Sequence, residues 1–242
     1  LHYPLRRQRQ MCIRDRCISC AALVTTDFGL CGDCWRETPF IAGLVCDRCG
    51  VPLPGGDAGE VAVCDDCMTQ ARPWGQGRSA LLYRDNGRSL VLALKHGDRM
   101  DLARPAGGWL MQAARPVIRP GMLVVPVPLH WFRLFRRKYN QAALLSKTLA
   151  GLAGLDHSAD ALVRKRTTGT QEGRTRDGRF ANMADAFRVP KPRAMLVEGR
   201  EILLVDDVMT SGATFAAATE ALFAAGARSV DVVSLARVAK DA

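Results

Sequence analysis

The chain has 242 residues, a formal charge of +10 and 48% hydrophobic residues, which come in short runs broken by Arg, Asp and Gly. That length is enough to bury a substantial core unaided, and no run approaches the roughly 20 apolar residues of a membrane helix, so no membrane span is expected. The basic opening stretch, LHYPLRRQRQMCIRDR, has neither the apolar segment nor the small-residue cleavage site of a secretory leader, and the cytoplasm is the expected compartment.

Residues 1–16 show no periodicity and contain the one cysteine outside a pair, Cys12. They read as an N-terminal tail whose native status the sequence leaves open. From residue 17 the spacing becomes regular: eight of the nine cysteines form four CxxC pairs, Cys17 with Cys20, Cys31 with Cys34, Cys46 with Cys49, and Cys64 with Cys67. A reducing compartment disfavours disulfides, and such clusters there bind metal. Each CxxC turn aims two thiolates at a point about 2.3 Å away, and two turns close a tetrahedral zinc site that holds up a small module and rarely does chemistry. Residues 17–70 are therefore expected to form a double zinc ribbon with two structural zinc ions. Spacing alone leaves open whether neighbouring pairs share an ion or interleave. Each four-thiolate centre carries a net charge of about −2, which lowers the formal +10 to about +6.

Residues 71–78 (ARPWGQG and the arginine after it) read as a linker. From residue 79 cysteine vanishes and strands alternate with helices, the pattern of an α/β fold with an open, mainly parallel sheet over 79–242. SALLY is a short strand. GRSLVLALKHG is a helix with Leu90 and Leu94 on one face, ending at Gly97, and a second helix follows Pro105. GMLVVPVP is a buried strand stopped by prolines, and NQAALLSKTLAGLAG is an amphipathic helix. The polar stretch 164–182 is too long for an ordinary connection and reads as a functional loop or a disordered one. REILLVDDV is a strand, GATFAAATEALFAAGA a helix closing at Gly226, and SVDVVSLARV the last strand.

Residues 130–180 hold eleven Lys or Arg against four acids, a concentration that suits a polyanionic ligand or partner. Trp131, Phe132, Phe135 and Tyr139 interleave with these cations, as stacking of unpaired bases beside a charged groove requires. At helical spacing the same aromatics also fit a core.

The stretch ILLVDDVMTSGAT carries the chemistry. In an open parallel sheet, ligands bind beyond the carboxyl ends of the strands, where Asp206 and Asp207 are expected. Thr210, Ser211, Gly212 and Thr214 then form a turn into a helix N-terminus, whose free N–H groups and dipole cradle a phosphate. The carboxylates can accept hydrogen bonds from ribose hydroxyls and help hold a hydrated magnesium. A strand of aliphatics ending in acids also occurs in P-loop NTPases, but the partner motif G-x-x-x-x-G-K-[ST] is absent. A plain strand end with a Ser or Thr N-cap explains the hydroxyls and not the two acids.

ILLVDDVMTSGAT resembles the phosphoribosyl pyrophosphate (PRPP) signature of type I phosphoribosyltransferases. With the four CxxC pairs, LKHGD, VVPVPLH, RRKYNQA, TGTQ and RFANMADAF in this order, residues 17 to about 238 resemble the ComF family of competence-associated proteins. The resemblance implies a double zinc ribbon ahead of a type I phosphoribosyltransferase domain. Asp206 and Asp207 look like its ribose-binding acids, and Thr210, Ser211, Gly212, Ala213 and Thr214 like its 5′-phosphate loop. Lys95 and Gly97 stand where the pyrophosphate loop lies, with His130 and Arg133 as further pyrophosphate candidates. Asn140 and Gln141 keep the family pattern, although Lys138 replaces its usual glycine. Gln171, Arg179 and Asn182 belong to the loop that closes over the substrate in related enzymes. Two functions fit: a PRPP-binding protein that handles single-stranded DNA with the DNA-uptake machinery, and an active phosphoribosyltransferase using PRPP and magnesium on a base or amine. No nucleophile-binding element is recognisable, and the catalytic residues stay unassigned.

Overall fold

The computed structural model describes residues 15–56, 61–96, 99–129, 139–165 and 185–239. The cysteine-rich region contains the same unit twice. Its first CxxC forms a tight knuckle, with the Ala21 N–H on the Cys17 carbonyl at 2.9 Å and the Gly50 N–H on that of Cys46 at 2.8 Å. Each knuckle ends in a left-handed residue, φ +62° at Ala21 and +67° at Gly50. At Gly50 a side chain is barred twice over, because a Cβ would lie 2.9 Å from the Arg78 backbone. The second CxxC opens a short helix, α1 (Gly32–Glu37) with Cys31 at its N-cap and α2 (Asp65–Thr69) with Cys64 at its N-cap.

The remaining elements are β1 (Gly77–Leu82), α3 (Asp85–His96), α4 (Ala103–Ala114), β2 (Leu123–Pro126), α5 (Gln141–Ala153), β3 (Asp156–His157), β4 (Val163–Arg164), β5 (Phe187–Arg188), α6 (Ala194–Val197), β6 (Glu201–Met209), α7 (Ala213–Phe223) and β7 (Ser229–Arg237). Five strands form one parallel sheet in the order β1-β7-β6-β2-β3. β4 and β5 make a separate antiparallel pair. The expected open parallel sheet is thus present.

Ile202 to Val205 are fully buried, as a central parallel strand covered on both faces requires. Leu203 and Val205 pack with Leu90, Leu94, Leu110 and Leu145 of α3, α4 and α5. Ile202 and Leu204 pack on the other face with Phe215 of α7. α5 starts where Asn140 accepts the Ala142 N–H at 3.1 Å and stops at Gly154, φ +65°. α4 begins at Ala103 rather than after Pro105, since proline is tolerated in a first turn whose N–H groups have no helical partner.

Both ribbons are joined to the sheet. The first lies along β1, with the Ile41 N–H on the Ala80 carbonyl and the Leu82 N–H on that of Pro39, each at 2.9 Å. Its Ile18 is buried in the core that includes Leu90 and Leu94. The second is joined through the segment read as a linker. Trp74 there is 1% exposed, its indole N–H donates to the Arg48 carbonyl at 2.6 Å, and the Gln76 N–H donates to Asp231 at 2.7 Å. Cys46, Cys49, Cys67 and Trp74 share one apolar cluster with Val125, Leu204 and Phe215.

Candidate functional site

The eight paired cysteines gather into two groups, Cys17, Cys20, Cys31, Cys34 and Cys46, Cys49, Cys64, Cys67, with every sulfur in a group within 4.8 Å of the others. Neighbouring pairs therefore share a site. Cys20 and Cys31 sulfurs are 3.6 Å apart and those of Cys49 and Cys64 are 3.7 Å apart, where tetrahedral bonds of about 2.3 Å put sulfurs about 3.8 Å apart. Backbone N–H groups of Cys31 and Cys64 donate to the Cys17 and Cys46 sulfurs, each at 3.3 Å, which favours thiolates. Four soft donors with no open position fit structural zinc at both sites.

The second centre of interest lies at the carboxyl end of the sheet. The chain leaves β2 towards β3 on one side and β6 towards β7 on the other, so the two adjacent strands bound the crevice where such sheets bind ligands. β2 runs alongside β6 only as far as Val205, whereas β7 stays paired to Met209. Asp206 and Asp207 thus sit on the half of β6 whose β2-side edge is free of that strand.

The two acids differ in environment. Asp207 meets Lys95 of α3 at 3.3 Å, both side chains less than one-fifth exposed. Asp206 accepts the Asp207 N–H at 2.8 Å. Burial, followed by the adjacent Asp207 charge, pushes the Asp206 carboxyl up to about 8, against the opposing pull of that N–H, Lys95 and Arg164. The two side chains offer hard oxygen donors of the kind that hold a hydrated magnesium, and a cation there would favour the ionised form of Asp206.

Gly212 follows, at φ +83° and capping α7. A Cβ there would stand 2.9 Å from the Trp74 ring and 3.2 Å from the Arg72 guanidinium. The Ser211 hydroxyl accepts the Ala213 N–H at 3.4 Å, and the next N–H groups of α7 lack helical partners by position. Lys95 is held over β6 from behind: the Gln141 amide donates to the Lys95 carbonyl at 3.4 Å and the Tyr139 hydroxyl to that of Leu94 at 2.7 Å. Asn140 contributes its cap and a 3.1 Å bond to the Val127 carbonyl. Contacts thus run from Gln141 to the Lys95 carbonyl and from Lys95 to Asp207, with Asn140 bonded beyond the end of β2 and residues 210–214 leading from β6 into α7. His130, Arg133, Gln171 and Arg179 lie outside the described residues, as do Gly97, Lys138, Asn182, Trp131, Phe132 and Phe135. Arg72, Trp74 and Arg237, which touch the 209–212 turn, are not singled out by the sequence.

Ribbon pair, parallel sheet and acid-bearing β6 define a class, a zinc-ribbon protein built on a phosphoribosyltransferase domain. Residues 11–74 match the double zinc ribbon domain and residues 139–242 the phosphoribosyl transferase domain; β1, α3, α4 and β2 precede the second match and complete its sheet. The chain is 32% identical over 221 residues to DNA utilization protein YhgH of Salmonella typhi, covering 89% of this chain and 93% of the relative. It is 29% identical over 228 residues to Competence protein F of Haemophilus influenzae, covering 92% and 96%. Among solved structures, the allosteric regulatory enzyme of purine biosynthesis is similar at a TM-score of 0.41 and 17% identity, over 60% of this chain and 30% of its own. The chain belongs to the ComF family.

Proposed function

We propose that the protein binds PRPP with magnesium in the β2/β6 crevice and handles single-stranded DNA in the cytoplasm during DNA uptake. The observation that carries the reading is the order of groups along one turn of chain: Asp206 and Asp207 at the crevice, then Gly212 at φ +83° leading into the N-terminus of α7. The acids accept hydrogen bonds from ribose hydroxyls, while the N–H groups after Thr210 receive the 5′-phosphate. Lys95 exchanges its bond to Asp207 for the pyrophosphate. Magnesium, held with help from Asp206 and Asp207, neutralises pyrophosphate charge.

The DNA part of the reading draws on relatives named for DNA utilization and competence, and on the eleven cations between residues 130 and 180. Proteins of the DNA-uptake machinery are the expected partners. No helix of the described residues is long and apolar enough to cross a membrane. Transfer of ribose 5-phosphate to a base or amine is the second reading, favoured by the match to the transferase domain.

Calorimetric titration of magnesium PRPP into the wild type and into Asp206→Asn/Asp207→Asn tests the site, with binding expected only in the wild type. Equal binding by both removes the acids from the site. Pyrophosphate release with any of a panel of bases and amines establishes the transferase reading; tight binding with no release, together with retention of a labelled single-stranded oligonucleotide, supports the DNA-handling one.

A further inference from the structure

The phosphate turn rests on the second cysteine site through two arginines. Arg72 donates from Nε to the Cys67 sulfur at 3.4 Å and from Nη1 to the Ser211 carbonyl at 2.8 Å. Arg237, on β7, donates from Nη2 to the Cys49 sulfur at 3.7 Å and from Nη1 to the carbonyls of Met209 at 3.2 Å and Thr210 at 2.5 Å. One thiolate from each CxxC pair of that site thus reaches three consecutive carbonyls. Trp74 fills the space between, with the Arg72 guanidinium 5.6 Å from its ring centroid and Phe215 edge-on at 6.0 Å.

Two physical consequences follow. In a trans peptide the carbonyl and the next N–H point in opposite directions. The arginines hold the carbonyls of Thr210 and Ser211, and with the Val238 N–H of the chain after β7 that of Met209, so the N–H groups of Thr210, Ser211 and Gly212 point away from those partners. The second consequence concerns charge. Arg237 is 5% exposed and stays charged, so it needs a counter-charge. Among the described residues, its recorded partners are the Cys49 sulfur and the carbonyls of Met209, Thr210 and Val238. A zinc ion with four thiolates carries about −2 and supplies that charge. The first ribbon makes no such link to residues 209–212 among the described residues: it is tied down by apolar contacts, by its backbone bonds to β1, by Asn86 of α3 on Ser19, Thr38 and the Cys34 carbonyl, and by Arg99 on the Ile18 carbonyl at 3.3 Å.

We propose that the second zinc site is part of the phosphate-binding apparatus, acting through Arg72 and Arg237 as positioning residues that aim the N–H groups of the 209–212 turn. The proposal rests on the PRPP reading for its ligand and not for its geometry. Loss of zinc from the second site, or of either arginine, frees the turn and lowers phosphate affinity with the acids intact. By reciprocity, a ligand in the crevice tightens the second zinc and leaves the first unaffected.

The test uses the full chain with both zinc ions and compares the wild type, Arg72→Gln, Arg237→Gln and, as control, Arg99→Gln. Magnesium PRPP affinity is measured by calorimetry, zinc loss to a metallochromic chelator by absorbance, and amide exchange over residues 209–215 by mass spectrometry. Arg72→Gln is the decisive variant if the buried Arg237→Gln fails to fold. Expected are a loss of affinity of about 10- to 100-fold in the two test variants, an unchanged control, and protection by PRPP of one zinc of two in the wild type and the control but not in the test variants. Wild-type affinity in a folded Arg72→Gln, or equal protection of both zinc ions, overturns the proposal. If the wild type does not bind PRPP, the ligand reading fails, and amide exchange then decides: exchange over 209–215 that does not quicken in Arg72→Gln overturns the positioning role as well.

Discussion

Gly212→Ala isolates the geometry of the phosphate turn. At φ +83° an alanine costs about 1–2 kcal/mol of backbone strain. Its methyl would also stand 2.9 Å from the ring of the fully buried Trp74, an overpacking that costs about 1–3 kcal/mol. The folded, ligand-bound protein must therefore lose about 2–5 kcal/mol relative to the unfolded chain. The turn can relieve the strain by leaving its conformation, which lowers affinity and spares stability, or keep it and lose stability. Only the total is fixed, and it is read as the change in unfolding free energy from urea titration added to the change in PRPP binding free energy from calorimetry. Gly121→Ala is the control, because φ there is +79° but a Cβ meets nothing within 4 Å. It should lose only the backbone part, all of it in stability. A Gly212→Ala total below about 0.5 kcal/mol, or one equal to that of Gly121→Ala, refutes the close contact between the ribbon segment and the turn.

The raised Asp206 carboxyl sets two pH dependences. PRPP binding needs the ionised form, so affinity should climb by up to tenfold per pH unit until about pH 8, and Asp206→Asn should flatten the rise measured by calorimetry. Folding works the other way. The folded state keeps its proton up to about 8 while the unfolded state loses it near 3.8, so the wild type loses stability as pH rises through that window; Asp206→Asn should melt higher than the wild type at pH 8 and lose the advantage below pH 4 in thermal scans. Lys95→Met strips Asp207 of its 3.3 Å partner and should lower PRPP affinity about 10- to 100-fold through loss of one charge-assisted contact to the pyrophosphate; unchanged affinity in the same titration removes Lys95 from the site. Single-stranded DNA binding through residues 130–180 should weaken with salt at a logarithmic slope of about −3 if four phosphates are neutralised, and a slope near zero in fluorescence anisotropy rules out that region.

The parts of this protein that could be read directly are those whose signal is local. Ile202 to Val205 form an unbroken apolar run because both faces of β6 are covered, and the acids follow at once in sequence. The CxxC knuckles carry their own geometry over four residues, although only the fold shows that neighbours pair. Lys95, Asn140 and Gln141 lie close to elements with clear helical periods, and the structure brings them together at the α3 and α5 ends. Arg72 and Trp74 are different. One arginine and one tryptophan among Gly and Pro have no period, so 71–78 reads as a connection. Their partners are far off in the chain, Ser211 139 positions beyond Arg72, while Cys49 lies 188 positions before Arg237.

The arrangement of the two cores gives the ribbons unequal parts. One face of the sheet is closed by α3, α4 and α5 around Leu90, Leu94, Leu110, Leu145 and Leu149, and the first ribbon adds Ile18 at its margin. That face contains none of the paired cysteines. The other face is closed by α7 together with Cys46, Cys49, Cys67 and Trp74, so the second ribbon stands where another α/β protein would place a further helix. A zinc staple usually compensates for a core too small to fold. In the second ribbon it also completes the core of a larger domain, and it does so directly behind the turn that enters α7. The sulfurs of that site are partners of Arg72 and Arg237, which hold the carbonyls of residues 209–211, whereas the first ribbon makes no hydrogen bond to residues 209–212 among the described residues.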